Sequence, residues 1–219
     1  MYTFTEENYL KAIHFLSQGS EKGATTNAIA ERLETKAASV SDMLKKLSDK
    51  DLLIYKKYQG VKLTAKGKEI AIKTVRKHRL WEVFLVDKLG FGWEEVHEVA
   101  EQLEHIQSVK LTDRLDSYLG NPKYDPHGDP IPDDAGNFPK RTETTLEECE
   151  TNSEVIIRGV KDTSPEFLRY LEKLGIGLGA KLMVEEKEEF DGSMRVKINS
   201  TSETSLSAAV CTNLFVKQL

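Results

Sequence analysis

The chain has 219 residues, of which 39% are hydrophobic and 31% are charged, as in an ordinary globular protein. This length allows one large domain or two to three small ones. No stretch approaches the ~20 apolar residues of a transmembrane helix, and the first residues do not resemble a signal peptide. The two cysteines, Cys149 and Cys211, are too few for a disulfide framework or a thiolate metal site. We therefore expect a cytoplasmic protein.

The charge is distributed unevenly along the chain. Residues 1–80 carry 16 Lys and Arg against 9 Asp and Glu, whereas the remaining residues carry 15 against 27. A basic first third on an otherwise acidic protein indicates a module that binds an anion, and nucleic acid is the usual one.

The order of elements in this basic part predicts a winged helix. Helices are predicted over Thr5–Ser17, Thr26–Leu33 and Ala38–Lys50. In the third, apolar residues at i, i+3, i+4 and i+7 from Val40 form a buried stripe. Two strands around Gly60 then form a wing, although a generic helical subdomain with a surface hairpin is the alternative. The residues expected to contact DNA are Lys36, Ser39, Ser41, Asp42, Lys45, Lys46, Lys56, Lys57 and Lys62.

Three further helices are predicted after the wing. They cover Ala65–Leu89, Trp93–Gln107 and Ser108–Leu119. The first is too apolar to be covered by one winged domain, so the three together are expected to form a dimerisation unit. It also carries His78 and Glu82 at i and i+4, on one face.

The helix around Glu101 suggests a metal site. On an ideal helix, its polar residues His97, Glu101, Glu104 and His105 fall within about 100° of one another. Nitrogen and oxygen donors that converge from one helix suit a divalent first-row metal. The alternative is a solvated charged face whose histidines are incidental.

The composition changes again near Gly120. Five of the six prolines lie between Gly120 and Glu150, which indicates a linker or an irregular covering segment. The strand-rich remainder includes a short helix opened by Ser164 and Pro165 and a hairpin around Gly192, and is expected to form a small barrel.

The predicted fold is therefore mainly α with a small β part. It comprises a winged helix-turn-helix DNA-binding domain over residues 1–72, a helical metal-binding and dimerisation domain over 73–120, a Pro-rich linker over 121–151 and an SH3-like β-barrel over 152–219.

Several motifs, in this order, resemble the diphtheria toxin repressor and manganese transport regulator family of metal-dependent repressors. They are the winged helix, the stretch Arg76–Leu80, the stretch His97–His105, the segment Pro126–Pro132 and the SH3-like end of the chain. The resemblance covers nearly the whole chain. It implies a homodimer that binds pseudo-palindromic operator DNA when loaded with Mn(II) or Fe(II), with other first-row divalent ions binding in vitro.

The resemblance also implies two sets of metal ligands. Asn8, Glu101, Glu104 and His105 match one set; His78, Glu82 and His97 match the other, to which Glu166 of the SH3-like domain corresponds as an added ligand. One departure is Lys11, which stands where manganese-responsive members have a carboxylate. This lysine argues against a closely packed binuclear site of that type.

The function expected from these features is a metal-dependent transcriptional repressor, not an enzyme, with no membrane partner and no organic substrate. Two alternatives remain open at this point. One is a metalloenzyme that uses the His/Glu cluster, although the basic winged helix counts against it. The other is a DNA-binding protein that does not respond to metal and whose cluster is structural.

Overall fold

The computed structural model describes residues 2–55, 60–140 and 144–219. These residues form two compact units. The first comprises the chain up to His78 together with Gln102–Val109 and Pro132–Asn137. The second comprises Arg79–Glu101, Lys110–Ile131 and Phe138–Leu219. None of the helices in these ranges is both long enough and apolar enough to span a bilayer.

The first unit begins with the three predicted helices, α1 (Phe4–Leu16), α2 (Thr26–Arg32) and α3 (Ala37–Asp49). Thr3 caps α1 through a capping box with Glu6, so the helix begins earlier than predicted. Strands β1 (Leu53–Ile54) and β2 (Lys62–Leu63) pair antiparallel and form the base of the predicted wing. The wing residues Lys56 and Lys57 lie outside the described residues.

A single apolar core supports this unit. Three of the four residues in the stripe predicted on α3 are fully buried, since Val40, Leu44 and Leu47 pack with Leu10 and Ile13 of α1. The fourth, Met43, is half-buried. Beside the core, α1 is fastened to α3 by charge. The buried Glu6 carboxylate accepts hydrogen bonds or ion pairs from Lys50 at 2.6 Å and Lys46 at 3.0 Å. This core and these pairs set the position of α3.

Helix α4 (Ala65–Leu89) has the predicted bounds and contributes residues to both units. In the second unit its Leu80 and Val83 pack with Leu115 of α6 (Val109–Tyr118) and with Ile131. Helix α5 (Val96–Leu103), between α4 and α6 in the chain, is shorter than predicted. Residues 93–95 form a turn, and the helix ends before Glu104. The prediction of one continuous helix over Trp93–Gln107 was wrong.

The Pro-rich segment behaves as a covering segment. Asp125, His127 and Ile131 are buried, and the guanidinium of Arg79 contacts Asp125 at 3.5 Å and donates to the carbonyl oxygen of Pro130. A linker is exposed to solvent, whereas these residues are buried and form a buried ion pair. The segment is therefore a covering segment and not a linker.

The SH3-like part is a six-stranded antiparallel sheet in the order β3-β8-β4-β5-β6-β7. Its elements are β3 (Thr144–Thr145), a 3-10 turn (Leu146–Glu148), β4 (Glu154–Val160), α7 (Pro165–Lys173), β5 (Lys181–Lys187), β6 (Met194–Ile198), β7 (Ser202–Leu206), α8 (Ala208–Cys211) and β8 (Leu214–Gln218). The hairpin β5–β6 is confirmed. Ser207 caps the short helix α8, so the last strand begins only at Leu214.

The Glu6 pairs make a prediction about stability and pH. Burial raises the pKa of Glu6, but the hydrogen bonds from Lys50 and Lys46 outweigh it and lower the pKa from its ordinary value of 4.5 to about 2. A lowered carboxylate pKa stabilises the folded state above the ordinary pKa, and this contribution is lost as the pH falls from 4.5 towards 2. We expect Glu6→Gln to cost about 2 kcal/mol at neutral pH.

Urea unfolding at several pH values measures this effect. Glu6→Gln should lose less stability than the wild type on acidification through that window. Glu69→Gln, which breaks an exposed pair with Lys73 on α4, is the matched control. Equal acid sensitivity in Glu6→Gln and the wild type would contradict the assignment.

Candidate metal centre

The first cluster of potential ligands, here called the Glu104 cluster, consists of Glu7, Lys11, His78, Glu104 and His105. Glu104 is fully buried, and its Oε2 accepts a hydrogen bond from Nδ1 of His78 at 2.6 Å. The Nζ of Lys11 donates to both Glu104 oxygens, at 2.7 and 2.8 Å. Nδ1 of His105 lies 2.6 Å from Oε2 of Glu7, and its Nε2 lies 3.6 Å from Oε1 of Glu104.

Three pieces of the first unit hold these side chains. Glu7 and Lys11 lie one turn apart on α1, so they share a face. His78 projects from α4, and Glu104 and His105 follow the end of α5. The exposed ring of Phe4 stacks on the His105 imidazole, with centroids 4.6 Å apart and planes at 15°. Contacts from α1 therefore reach the residues after α5.

The electrostatics around Glu104 favour the ionised form of its carboxyl group. Burial alone would raise the pKa of Glu104, but the hydrogen bond from His78 and the charge of Lys11 lower it below its ordinary value. Burial lowers the pKa of the neighbouring Lys77 ammonium, while the charges of Glu7 and Glu104 oppose that shift.

Asn8 provides an independent indication of a ligand. Its Oδ1 atom is buried and has no hydrogen-bond partner among the described residues. A buried carbonyl oxygen without a partner costs free energy, and it is also a hard donor of the kind that divalent cations accept. The donor set of this region thus fits a divalent metal ion.

The second cluster, here called the Glu82 cluster, consists of Glu82, His97, Asp125 and His127 and lies in the second unit. One ligand atom from each of Glu82, Asp125 and His127 lies within 4.8 Å of the other two. Oε1 of Glu82 is 3.2 Å from Nδ1 of His97 and 3.8 Å from Nδ1 of His127. Two carboxylates and two imidazoles suit Mn(II) or Fe(II).

The Pro-rich segment shapes this cluster. Oδ1 of Asp125 accepts hydrogen bonds from the backbone N–H groups of His127 and Asp129, at 2.8 and 2.9 Å. The Nε2 of His127 is 2.7 Å from the carbonyl oxygen of Trp93, and the two rings stack with planes at 11°. The turn is closed by Gly128 with φ of 84°, a conformation that favours glycine.

Gly128 also lies against the SH3-like sheet. A Cβ added to Gly128 would collide with the backbone of Arg158 and Gly159 in β4. The carbonyl oxygen of His127 accepts a hydrogen bond from the N–H of Val160 at 2.9 Å. Backbone contact with β4 thus fixes the position of His127.

Burial and the nearby Glu82 carboxylate shift the pKa values of two residues in this cluster. Burial and then the charge of Glu82 raise the pKa of Asp125 to about 7. Burial alone would lower the pKa of His127, but the hydrogen bond and charge of Glu82 raise it to about 9. Both shifts arise from several carboxylates held close together out of water.

Two of the ligands implied by the resemblance have exposed side chains. Glu101 lies beside His97, with Oε1 of Glu101 3.6 Å from Nε2 of His97, and its side chain is 47% exposed. Glu166 is 79% exposed and contacts Arg169 at 3.5 Å. Since the helix ends at Leu103, the predicted shared helical face of His97, Glu101, Glu104 and His105 does not form.

Sequence reasoning missed three members of these clusters: Glu7, Asp125 and His127. The alternation Asp125-x-His127-x-Asp129 within a Pro-rich segment was the available signal.

The predicted DNA-binding residues that the structure describes lie at α3 and on β2. Lys36, Ser39, Asp42 and Lys45 are exposed at or on α3, and Lys62 is exposed on β2. Ser41 donates to the carbonyl oxygen of Ala37, and Lys46 contacts Glu6. Lys46 therefore also fastens α3 to α1, a role that the sequence did not indicate.

Comparison with known proteins gives three family matches in chain order. Residues 1–61 match the N-terminal DNA-binding domain of iron-dependent repressors, residues 64–133 match their metal-binding and dimerisation domain, and residues 144–218 match the FeoA domain. The two repressor models together cover more than half of the chain.

Individual relatives agree with these matches. The iron-dependent repressor IdeR of Mycobacterium leprae is 42% identical over 130 residues, which are 58% of this chain and 55% of that protein. The chain thus spans about half the length of that relative. The transcriptional regulator MntR of Bacillus subtilis is 35% identical over 144 residues, which are 65% of this chain and 97% of that protein.

Solved structures extend the likeness to the whole fold. A manganese-dependent transcriptional repressor in complex with manganese has 36% identity and a TM-score of 0.79, and the match covers 98% of this chain and 100% of that one. ScaR with bound Zn2+ has 33% identity and a TM-score of 0.70, over 98% of this chain and 99% of that one.

The Glu82 cluster yields a direct test. Glu82→Gln keeps the size of the side chain but removes the carboxylate that both histidines contact. We expect Mn(II) affinity, measured by isothermal titration calorimetry, to fall at least tenfold, or about 1.4 kcal/mol. Glu98→Gln removes an exposed charge from α5 and should bind Mn(II) as the wild type does. Equal affinity in Glu82→Gln and the wild type would exclude a metal site there.

Proposed function

The chain belongs to the diphtheria toxin repressor and manganese transport regulator family of metal-dependent transcriptional repressors, and we propose that it binds operator DNA as a homodimer when loaded with Mn(II) or Fe(II). The observation that carries this proposal is that α4 leaves the winged helix and carries a potential ligand of each cluster, His78 and Glu82, one turn apart. The DNA-binding element and the metal ligands are thus joined by one helix.

The residues that would hold the metal come from both clusters. Glu82, His97, Asp125 and His127 supply the donors of one site, and His78, Glu104, His105 and the amide oxygen of Asn8 supply those of the other. A bound divalent ion supplies positive charge that offsets the carboxylates. The resemblance also implies Glu101 and Glu166 as ligands, and both side chains are exposed to solvent.

Helix α1 connects the Glu104 cluster with the DNA-binding helix. Two adjacent residues of α1 contact different parts of the first unit. Glu7 contacts His105 in the Glu104 cluster, whereas Glu6 contacts Lys46 and Lys50 of α3. A change in how α1 is held at the Glu104 cluster is therefore transmitted to the placement of α3. Metal needs only to favour the DNA-competent placement by a few kcal/mol.

The DNA contacts follow from α3 and β2. Exposed Lys36, Lys45 and Lys62 supply phosphate contacts, and Ser39 and Asp42 lie on the outer face of α3 where base edges would be read. In a dimer that reads a pseudo-palindromic operator, the two α3 helices lie one turn of DNA apart, about 34 Å.

Helix α6 supports a second copy of this chain as the partner. Its apolar side chains Leu111 and Tyr118 are seven residues apart, so they lie on one face, and they are 40% and 66% exposed. Apolar residues at this exposure on one short helix mark a contact surface, and the matched family model for residues 64–133 is named for dimerisation.

Fluorescence anisotropy of labelled operator DNA tests metal dependence. We expect Mn(II) or anaerobic Fe(II) to strengthen binding at least tenfold over chelator, which corresponds to about 1.4 kcal/mol of coupling. Zn(II) is included because it is another first-row divalent ion. The salt concentration is held fixed because phosphate contacts make affinity steeply salt-dependent.

The other outcomes separate the alternatives. Tight operator binding that is the same with metal and chelator would mean a DNA-binding protein whose clusters are structural. Metal-dependent turnover of a substrate, with no operator binding, would mean a metalloenzyme.

The same assay tests the DNA contacts. Lys45→Ala should weaken operator binding and lower the slope of log affinity against log salt by about 1, because one phosphate contact is lost. Lys73→Ala removes an exposed lysine of α4 and should change neither quantity. An unchanged slope for Lys45→Ala would remove Lys45 from the interface.

A further inference from the structure

We propose that Lys11 is a built-in competitor of the metal ion at the Glu104 cluster, so that this cluster takes up metal only when the Lys11 ammonium leaves Glu104. The inference rests on the proposed metal dependence. It predicts that the two clusters load in order, the Glu82 cluster at low metal concentration and the Glu104 cluster at higher concentration.

The first support is the geometry of the Lys11 contact. Its Nζ engages both oxygens of Glu104, at 2.7 and 2.8 Å, so both potential donor atoms of this carboxylate already hold a cation. A metal ion that coordinates Glu104 must displace at least one of these contacts. Since carboxylate oxygens are among the preferred donors of Mn(II), the ammonium and the metal compete for the same atoms.

The second support is the burial of the pair. The side chain of Lys11 is 13% exposed and that of Glu104 is fully buried. The pair Lys73–Glu69 on α4, in contrast, is 63% exposed at both residues. A solvated surface pair contributes little, whereas breaking a buried pair leaves an uncompensated charge. Removal of Lys11 from Glu104 is therefore costly unless another cation replaces it.

The third support is the charge balance of the named residues. The Glu104 cluster has two carboxylates, Glu7 and Glu104, and the ammonium groups of Lys11 and Lys77 both face it. These charges already cancel, so an added divalent ion brings excess positive charge unless Lys11 moves away.

The Glu82 cluster has a different balance. Its surroundings contain the carboxylates of Glu82, Asp125 and Asp129, and the guanidinium of Arg79 contacts the two aspartates. In the metal-bound state, in which the imidazoles have lost their protons, three carboxylates face one guanidinium. This surplus suits a divalent ion, so we expect the Glu82 cluster to be the tighter site.

Release of Lys11 from Glu104 also affects α1. It removes a contact between α1 and the residues after α5. Loading of the second site is thereby coupled to the placement of α1.

The test compares Mn(II) binding by the full chain and by Lys11→Met, which keeps the length of the side chain but removes its charge. Free Mn(II) is quantified by its electron paramagnetic resonance signal, with no DNA present. We expect the Kd of the weaker Mn(II) site to be at least tenfold lower in Lys11→Met than in the wild type. If the wild type binds one Mn(II) per chain, Lys11→Met should bind two. The tighter class should be unchanged.

Two further variants control for charge and position. Lys11→Arg retains a cation and should bind Mn(II) as the wild type does. Lys73→Met removes the same charge from an exposed pair and should also match the wild type. In addition, Lys11→Met should lower the unfolding temperature of the metal-free protein, and Mn(II) should raise it by more than in the wild type. Lys11→Gln serves if Lys11→Met does not fold.

The outcomes distinguish this inference from the proposed function. If the wild type binds Mn(II) and Lys11→Met (or Lys11→Gln) binds it with the same or lower affinity at every site, Lys11 does not compete and only the inference falls. If neither the wild type nor the Lys11 variants bind Mn(II), the proposed function fails and the inference with it. Tighter binding in both Lys11→Arg and Lys73→Met would also overturn the role of Lys11.

Discussion

Burial of one carboxylate, Glu104, sets the main constraint on the first unit. A buried carboxylate must have hydrogen-bond or ion-pair partners. The partners of Glu104 are Lys11 of α1 and His78 of α4. The pairs at Glu104 and at Glu7 therefore hold α1, α4 and the residues after α5 to one another by charge. Such contacts depend on which cation is present, whereas an apolar contact would not.

Helix α1 is central because its two faces have different partners. One face packs in the apolar core through Leu10 and Ile13 and contacts the lysines of α3 through Glu6. The other presents Glu7 and Lys11 to the Glu104 cluster. A helix of 13 residues thus joins the packing of a DNA-binding domain to the chemistry of a metal site. This arrangement allows a local change in charge to act at a distance without a long series of contacts.

The elements and their order could be predicted from the sequence, because periodicity and turn residues are local signals. The bounds of α4 were predicted correctly at both ends, and the buried stripe of α3 was confirmed. The errors occurred where tertiary contacts override local preference. The stretch after Leu103 has a helical pattern, but Glu104 and His105 leave the helix and contact His78 and Glu7.

The members of the candidate site were harder to predict than the fold. Asp125 and His127 lie in an irregular segment, where no periodicity shows which side chains point inward. Their grouping with Glu82 depends on pairing between that segment, α4 and the SH3-like sheet, which are far apart in sequence. Resemblance to a family supplied most of the ligand types, but it could not show that Lys11 engages both oxygens of Glu104.

The tight crossing of Gly128 over Gly159 has a consequence for how this chain can vary. The crossing joins two backbones with no side chain between them, so the distance between the His127 segment and β4 cannot be relaxed by repacking. The SH3-like domain thereby acts as a template for the Glu82 cluster even where none of its side chains is a ligand. A replacement for this domain would therefore need the same backbone path in β4. It would also need glycine at both positions, because a side chain at either one would collide with the other segment.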